Sequence, residues 1–410
     1  MPLTLVGIAH ALLLFCLIQF LLPTVRSAPL ARVFVPALVY KVAMGWLLGA
    51  IFFFYYHGGD TIHYFNDASL LAQLAYHDPI EYFRVLVGRQ PPPSALVYLN
   101  QPRALFFDKL LSVVAIFSYR NYWIASVYLS LLSFGGCWKL ANALSRRFPQ
   151  HRAAAAAFLF YPSVVFWSAG ILKESVAVAA ITLMVYQTLK LTTHDHTSKS
   201  LVSIILSLGA AGWMLWELKY YYAGVLIPSI VSITLTWQLV KPRATVVYFA
   251  TILLSWTVGG TMLSLLHPLL GMDKLASVLL HKHDTMVLLS DPSYVIHFAS
   301  LDGSVGQFLV NAPWALFSGL FRPLVGEGST LLQWIAALEN TGLLLLTAGA
   351  LVHGRWNRVS PSESLWIFRA NASNEKDLFE VVVVERSTVP SFLFAKLIFH
   401  LSDSLQSDFT

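Results

Sequence analysis

VFVPALVYKVAMGWLLGAIFFFYY, residues 33–56, followed at once by HGGDTIHYFND, residues 57–67, is the stretch that decides the fold class. Wound as a helix, the first run spans about 36 Å, more than the roughly 30 Å of hydrocarbon in a bilayer. The second run brings glycines, two carboxyls and aromatic rings to the place where that helix ends. The whole chain shares this character: 57% of its 410 residues are apolar and only 12% are charged. Its mean hydropathy is +0.64. A water-soluble core cannot use that much apolar surface.

Working outward, further apolar runs of spanning length fall at 3–22, 122–143, 153–169, 174–191, 201–217, 222–240, 243–266 and 331–352. The first lacks a basic lead-in and is long for a signal peptide, so it reads as a retained helix. The stretch 305–321 is apolar but interrupted by Asn311, Pro313 and Gly319. Against lipid those interruptions leave backbone groups unsatisfied, which favours a re-entrant segment or one packed within protein. The expected fold is all-α and integral to the membrane, with about nine transmembrane helices plus a re-entrant segment. Residues 1–352 form the membrane domain, with two long outer loops at 57–121 and 267–330. Residues 353–410 form a polar, cytoplasmic C-terminal tail, in which 379–384 reads as a strand and 391–401 as a short helix. That tail holds six Lys or Arg and seven Asp or Glu, a net of −1, against 21 and 14, a net of +7, in residues 1–352.

The formal charge of +6 does not point to nucleic acid, because the basic residues are thinly spread between apolar runs. Membrane topology accounts for them. Arg146, Arg147 and Arg152 make the most basic short connection and so a cytoplasmic one. Alternating outward from it puts Arg26, Arg32, Lys190, Lys199, Lys241 and Arg243 on the same side and the amino terminus outside. Cys16 and Cys137, the two cysteines, both sit in apolar segments, which supports neither a disulfide framework nor a thiolate metal site.

Polar chemistry concentrates in the two outer loops and at two hairpin tips, 170–173 and 217–221. Asp60 and Asp67 lie seven apart and share one helical face at the interface; as plain structure, Asp60 caps an interfacial helix and Asp67 is solvated. The run Tyr161, Pro162 through Trp167, Gly170, Lys173 and Glu174 breaks an apolar helix and restarts it with adjacent opposite charges, a costly pair unless it is wet or paired. The plain alternative is Glu174 at a helix N-terminus and Lys173 reaching for headgroups. Trp213, Trp216, Glu217, Lys219, Tyr220, Tyr221 and Tyr222 read as an aromatic belt with embedded charges. Arg322, between Phe321 and Pro323, presents a planar fork of donors matched to phosphate oxygens, whether of a ligand or of surrounding lipid. His281, Lys282, His283 and Asp284, and likewise His194, Asp195 and His196, read as solvated loops rather than metal ligands. No metal set is indicated, and a divalent cofactor stays open.

Together, Gly59, Asp60 and Tyr64 at the start of an outer loop, the Pro162 to Glu174 hairpin, and Phe321, Arg322 and Pro323 before Ala337, Leu338, Glu339 and Asn340 resemble bacterial multi-span proteins of surface-polysaccharide assembly. That group is similar to the lipid-carrier-dependent glycosyltransferases of the C superfamily and to the polysaccharide polymerases. In the glycosyltransferases the acidic residue follows the first span, whereas here Asp60 follows the second. The resemblance implies a bacterial inner-membrane enzyme that moves a sugar from a polyprenyl-phosphate carrier to a glycan acceptor at the outer face, in contact with membrane lipids and not with nucleic acid. It implies a carboxylate base, Asp60 with Asp67 or Glu174 as substitute, and cations facing the carrier phosphate, Lys173, Arg322, Arg103 and Lys219. Tyr64, Trp167, Tyr220 and Tyr221 offer flat surfaces to sugar rings. A polysaccharide (O-antigen-type) polymerase is the nearest alternative. A transporter or flippase of lipid-linked sugars is the alternative from another class, although charges lie at span ends and the span centres are nearly free of them.

Overall fold

A computed structural model describes residues 3–91, 96–147, 152–191, 198–239, 245–266, 304–328 and 330–353, with scattered positions between 277 and 298. The expected tail strand and helix, Lys282 and the 194–196 cluster lie outside the described residues. Among the described residues the chain is helical, with no strand. Five helices among the described residues are long and apolar enough to cross a membrane: Thr4–Arg26, Ala31–Phe54, Tyr122–Arg147, Ser200–Thr236 and Leu331–Gly349. Their outer faces carry Leu12, Phe15, Phe20, Val39, Leu206 and Leu345 largely exposed. Exposed apolar surface on that scale suits hydrocarbon rather than water, the mark of a multi-pass membrane protein.

The chain divides into two compact units, residues 1–226 and 227–410. The first contains α1 (Leu3–Arg26), α2 (Phe34–Phe54), α3 (Asp60–His77), α4 (Pro79–Val87), α5 (Pro102–Phe117), α6 (Tyr122–Arg147), α7 (Arg152–Ala157), α8 (Pro162–Trp167) and α9 (Lys173–Leu191). It ends within α10 (Ser198–Leu239), whose backbone leaves the helical region at Lys219, with φ −146° and ψ 71°. The break falls in the stretch expected to turn at 217–221. Within this unit α6 packs on both α2 and α9, and α3 packs on α5.

Two expectations are revised here. The stretch 57–121, read as an outer loop, is built of α3, α4 and α5. Tyr64, Phe65, Ala68, Leu71 and Ala72 recur at helical spacing and are buried, so α3 has a core face that hydropathy alone undervalues. Local signals set α4: Asp78 accepts the Glu81 N–H at 3.0 Å, Pro79 occupies the first turn, and Gly88 closes the helix at φ 134°. The stretch 153–169, read as one span, is two short helices. Tyr161, the residue before Pro162, is extended at φ −66° and ψ 118°, and Pro162 has no N–H to continue a helix.

Small residues let the helices of the first unit close up. A Cβ at Gly136 on α6 would lie 3.0 Å from the Ala179 carbonyl on α9. One at Gly45 on α2 would lie 2.9 Å from the Gly170 nitrogen. Such contacts are how helices gain packing where lipid offers no hydrophobic drive.

The second unit contains α11 (Thr245–Leu266), α12 (Val305–Phe321) and α13 (Leu331–His353). Despite Pro313, α12 is continuous. It begins at Ser304, whose hydroxyl accepts the Gln307 N–H at 3.3 Å. Thr330 and Gln333 cap α13 reciprocally, at 3.1 and 3.4 Å.

Candidate functional site

The polar residues of the first unit gather around the N-termini of α3 and α9. Gly59, at φ 115°, takes a backbone conformation open to glycine and starts α3 with Asp60 in its first turn. The Tyr98 hydroxyl donates to Asp60 Oδ1 at 2.8 Å, and the Tyr64 hydroxyl reaches Oδ2 at 3.5 Å. Asp67, two turns further along the same face, accepts the backbone N–H groups of Val97 and Tyr98 at 3.1 and 2.9 Å. It therefore pins the segment that carries Tyr98 against α3 and is a buried structural clamp, not a solvated acid. Burial pushes its carboxyl above the usual range, against the pull of those two N–H groups.

Lys173 opens α9 with its ammonium 5.0 Å from the centre of the Tyr64 ring and within electrostatic reach of Asp60. Glu174 is buried and paired with Lys219, Nζ to Oε1 at 2.7 Å, at the break in α10. Beside them Arg103 lays its guanidinium 4.0 Å from the centre of the Tyr220 ring. Tyr221 stands edge-on to Tyr220 at 5.6 Å, with Lys219 Nζ 5.9 Å from its centre. Asp60, Lys173, Arg103, Tyr220 and Tyr221 are half-buried, while Tyr64, Glu174 and Lys219 lie behind them, buried. Trp167 ends α8 and packs edge-on against Phe166 at 5.1 Å.

The turn that delivers Lys173 and Glu174 is held by groups that sequence reading passed over. Lys41, buried in α2, donates to the Val165 carbonyl at 3.3 Å and to Ser168 Oγ. From α6, Ser133 donates to the Ser168 carbonyl at 2.6 Å, and Ser130 Oγ accepts the Gly170 N–H at 2.9 Å. Ser175 donates back to the Gly170 carbonyl at 2.8 Å. Gly170 sits at φ +70°, and a Cβ there would lie 3.0 Å from the Gly45 carbonyl oxygen. Gly170→Ala is expected to cost about 1–3 kcal/mol through backbone strain, read as a lower unfolding temperature of the detergent-purified protein. An unchanged midpoint would show that the turn is not held this way.

Asp108, on α5, is the other residue that the sequence hid. It is fully buried, and neither carboxyl oxygen has a hydrogen-bond partner among the described residues. Its electrostatic neighbours are Asp67, Lys173 and Asp60.

Arg322 belongs to the second unit. There its Nε donates to both oxygens of Glu327 at 3.0 Å, and its guanidinium lies 5.9 Å from the Trp314 ring centre. The Arg322 hydrogen bond holds Glu327 below the usual carboxylate range. Asn340 donates to the Pro323 carbonyl at 3.2 Å, which ties this turn to α13. Among the described residues no group of three His, Cys, Asp or Glu side chains is placed to hold a metal ion.

What the first unit assembles is a carboxyl held by tyrosine hydroxyls, an ammonium within its electrostatic reach, a guanidinium on a tyrosine face, and a buried ion pair fixing the frame. Such a set can take a proton from a hydroxyl, bind an anionic oxygen and stack against a ring. Compared with family profiles, with curated proteins and with solved structures, the chain matches none.

Proposed function

We propose that the chain is an integral-membrane glycosyltransferase that moves a sugar from a polyprenyl-phosphate carrier at the outer face of a bacterial inner membrane. The observation that carries the reading is the Asp60 carboxyl, hydrogen-bonded by Tyr98 and set beside the Lys173 ammonium on a half-open face. In that reading Asp60 takes the acceptor hydroxyl's proton, and Lys173 and Arg103 steady the departing phosphate. Tyr220 and Tyr221 flank the sugar.

The reading includes a topology of about nine spans, with 305–321 not crossing, residues 57–121 and 267–330 outside, and the tail after 353 in the cytoplasm. Cysteines introduced as Gln90→Cys and Thr285→Cys are then labelled from outside by an impermeant thiol reagent. Labelling only after permeabilisation reverses the orientation.

Carrier binding tests the phosphate assignment. Lys173→Gln is expected to weaken binding of a polyprenyl phosphate by about 1–3 kcal/mol, the range for hydrogen bonds to charged groups. Equal binding by the unaltered protein and by Lys173→Gln removes Lys173 from the carrier site.

A further inference from the structure

Asp108 has no part in folding that its surroundings explain. An ordinary buried carboxyl is held by N–H groups or a cation, as Asp67 and Glu174 are in the same unit. Asp108 has neither: it is fully buried, both oxygens lack a hydrogen-bond partner among the described residues, and Phe107 and Leu111 beside it on α5 are buried as well. Replacing such a group by an apolar one is expected to help the fold, so its presence asks for another reason. Its surroundings supply one, because the charges within electrostatic reach of it are Asp67 and the half-buried Lys173 and Asp60.

We infer that Asp108 is a proton-binding site of this unit, a carboxylic acid that carries a proton in the resting protein and releases it under the control of Lys173. The charged and titratable groups that face it are Asp60, Asp67 and Tyr64 on α3, Tyr98 on the segment before α5, and Lys173 at the start of α9. Of its three charged neighbours, Asp67 and Asp60 oppose a further negative charge, and only the Lys173 ammonium favours one. Burial first, and then Asp67, push the Asp108 carboxyl well above the usual range, while Lys173 pulls it back. Release of the proton to solvent leaves a carboxylate that the Lys173 ammonium balances. A ligand anion that engages Lys173 removes that balance, so anion binding and proton retention at Asp108 favour each other. The inference does not depend on sugar transfer: it concerns a proton and an ammonium, and its test involves no sugar.

The sign of the pH effect follows from the raised value. An acid that is harder to ionise when folded contributes stability fully present below its unfolded value, near 4, and lost as pH rises towards its folded value. Asp67 contributes in the same direction, so removing Asp108 shrinks the slope without abolishing it.

The test is an infrared pH titration of the full-length protein in detergent, following the carbonyl band of protonated carboxyl groups, alongside unfolding temperature against pH. The expected result is a band present at neutral pH, missing in Asp108→Asn, and a weaker fall of unfolding temperature with rising pH in that variant. In Lys173→Gln the pH at which the band disappears should move up. If Asp108→Asn does not fold, Asp108→Glu retains the acid and should shift the band's frequency, identifying its source. A neutral-pH spectrum without an Asp108-dependent band, or a band whose titration ignores Lys173→Gln, overturns the inference. Loss of sugar transfer with the band intact would instead count against the glycosyltransferase reading alone.

Discussion

Asp60→Asn is expected to lower sugar transfer by about 10² to 10⁴-fold, the usual contribution of a positioned general base, while leaving the fold in place. The amide keeps the size of the carboxyl and still accepts the Tyr98 hydroxyl's hydrogen bond through its oxygen, but it cannot take a proton from an acceptor. Tyr98→Phe serves as the companion. It leaves the carboxyl and removes the donor that holds it, so a smaller loss is expected, of roughly the size of one hydrogen bond, about 1 kcal/mol. The check is product formation from a lipid-linked sugar by equal amounts of folded protein. Near-normal turnover by Asp60→Asn would make Asp60 a helix-start residue only.

Glu174 and Lys219 carry the largest expected effect on stability. Both are buried, at 3% and 4% exposure, and their charges meet at 2.7 Å. Lys219→Met leaves a buried carboxylate without its ammonium, and the expected cost is about 3–5 kcal/mol. Glu174→Gln is expected to cost a comparable amount by leaving the ammonium behind. The double variant removes both charges and should recover most of the loss, because a buried ion pair gains little over well-packed neutral groups. Denaturant unfolding of the four proteins measures this. Losses that simply add in the double variant would show that the two charges do not depend on each other.

The residues of the site that were legible in the sequence share one property. Asp60, Lys173, Glu174, Lys219, Tyr220 and Tyr221 all stand where an apolar run stops or restarts, and a charge at such a place costs free energy unless something holds it. Asp108 and Lys41 lacked that signal. Asp108 is followed by Lys109 in a stretch that mixes polar and apolar residues, and only its burial and missing partners mark it out. Lys41 lies inside the apolar run 33–56, where a single long side chain reads as one able to reach the headgroups; its actual partners, Val165 and Ser168, are more than 120 residues away. Tyr98 was invisible for the same reason, since its link to Asp60 depends on Asp67 holding the backbone of the segment that carries it.

Helix boundaries followed a similar rule. The strongly apolar runs at 33–56 and 122–143 correspond to α2 and α6. The stretch 57–121 was read as loop because its helices, of 18, 9 and 16 residues, each fall short of the length that crosses a bilayer. At 153–169 the apolar count hid the effect of Pro162, and at 305–321 the helix runs on through Pro313. Position 322 shows the limit for charged residues. An arginine beside a proline looks available to a ligand phosphate, yet five residues on Glu327 accepts its Nε, a local pairing that spacing alone does not announce.

The most direct measurement places the purified protein in sealed lipid vesicles with a polyprenyl-phosphate-linked sugar and a glycan acceptor on the side of Asp60, and follows both sugar transfer and the sidedness of the donor. The account predicts that the acceptor gains the sugar, that free polyprenyl phosphate accumulates in step, and that both stop in Asp60→Asn. Movement of the intact lipid-linked sugar across the bilayer with no acceptor product would contradict it.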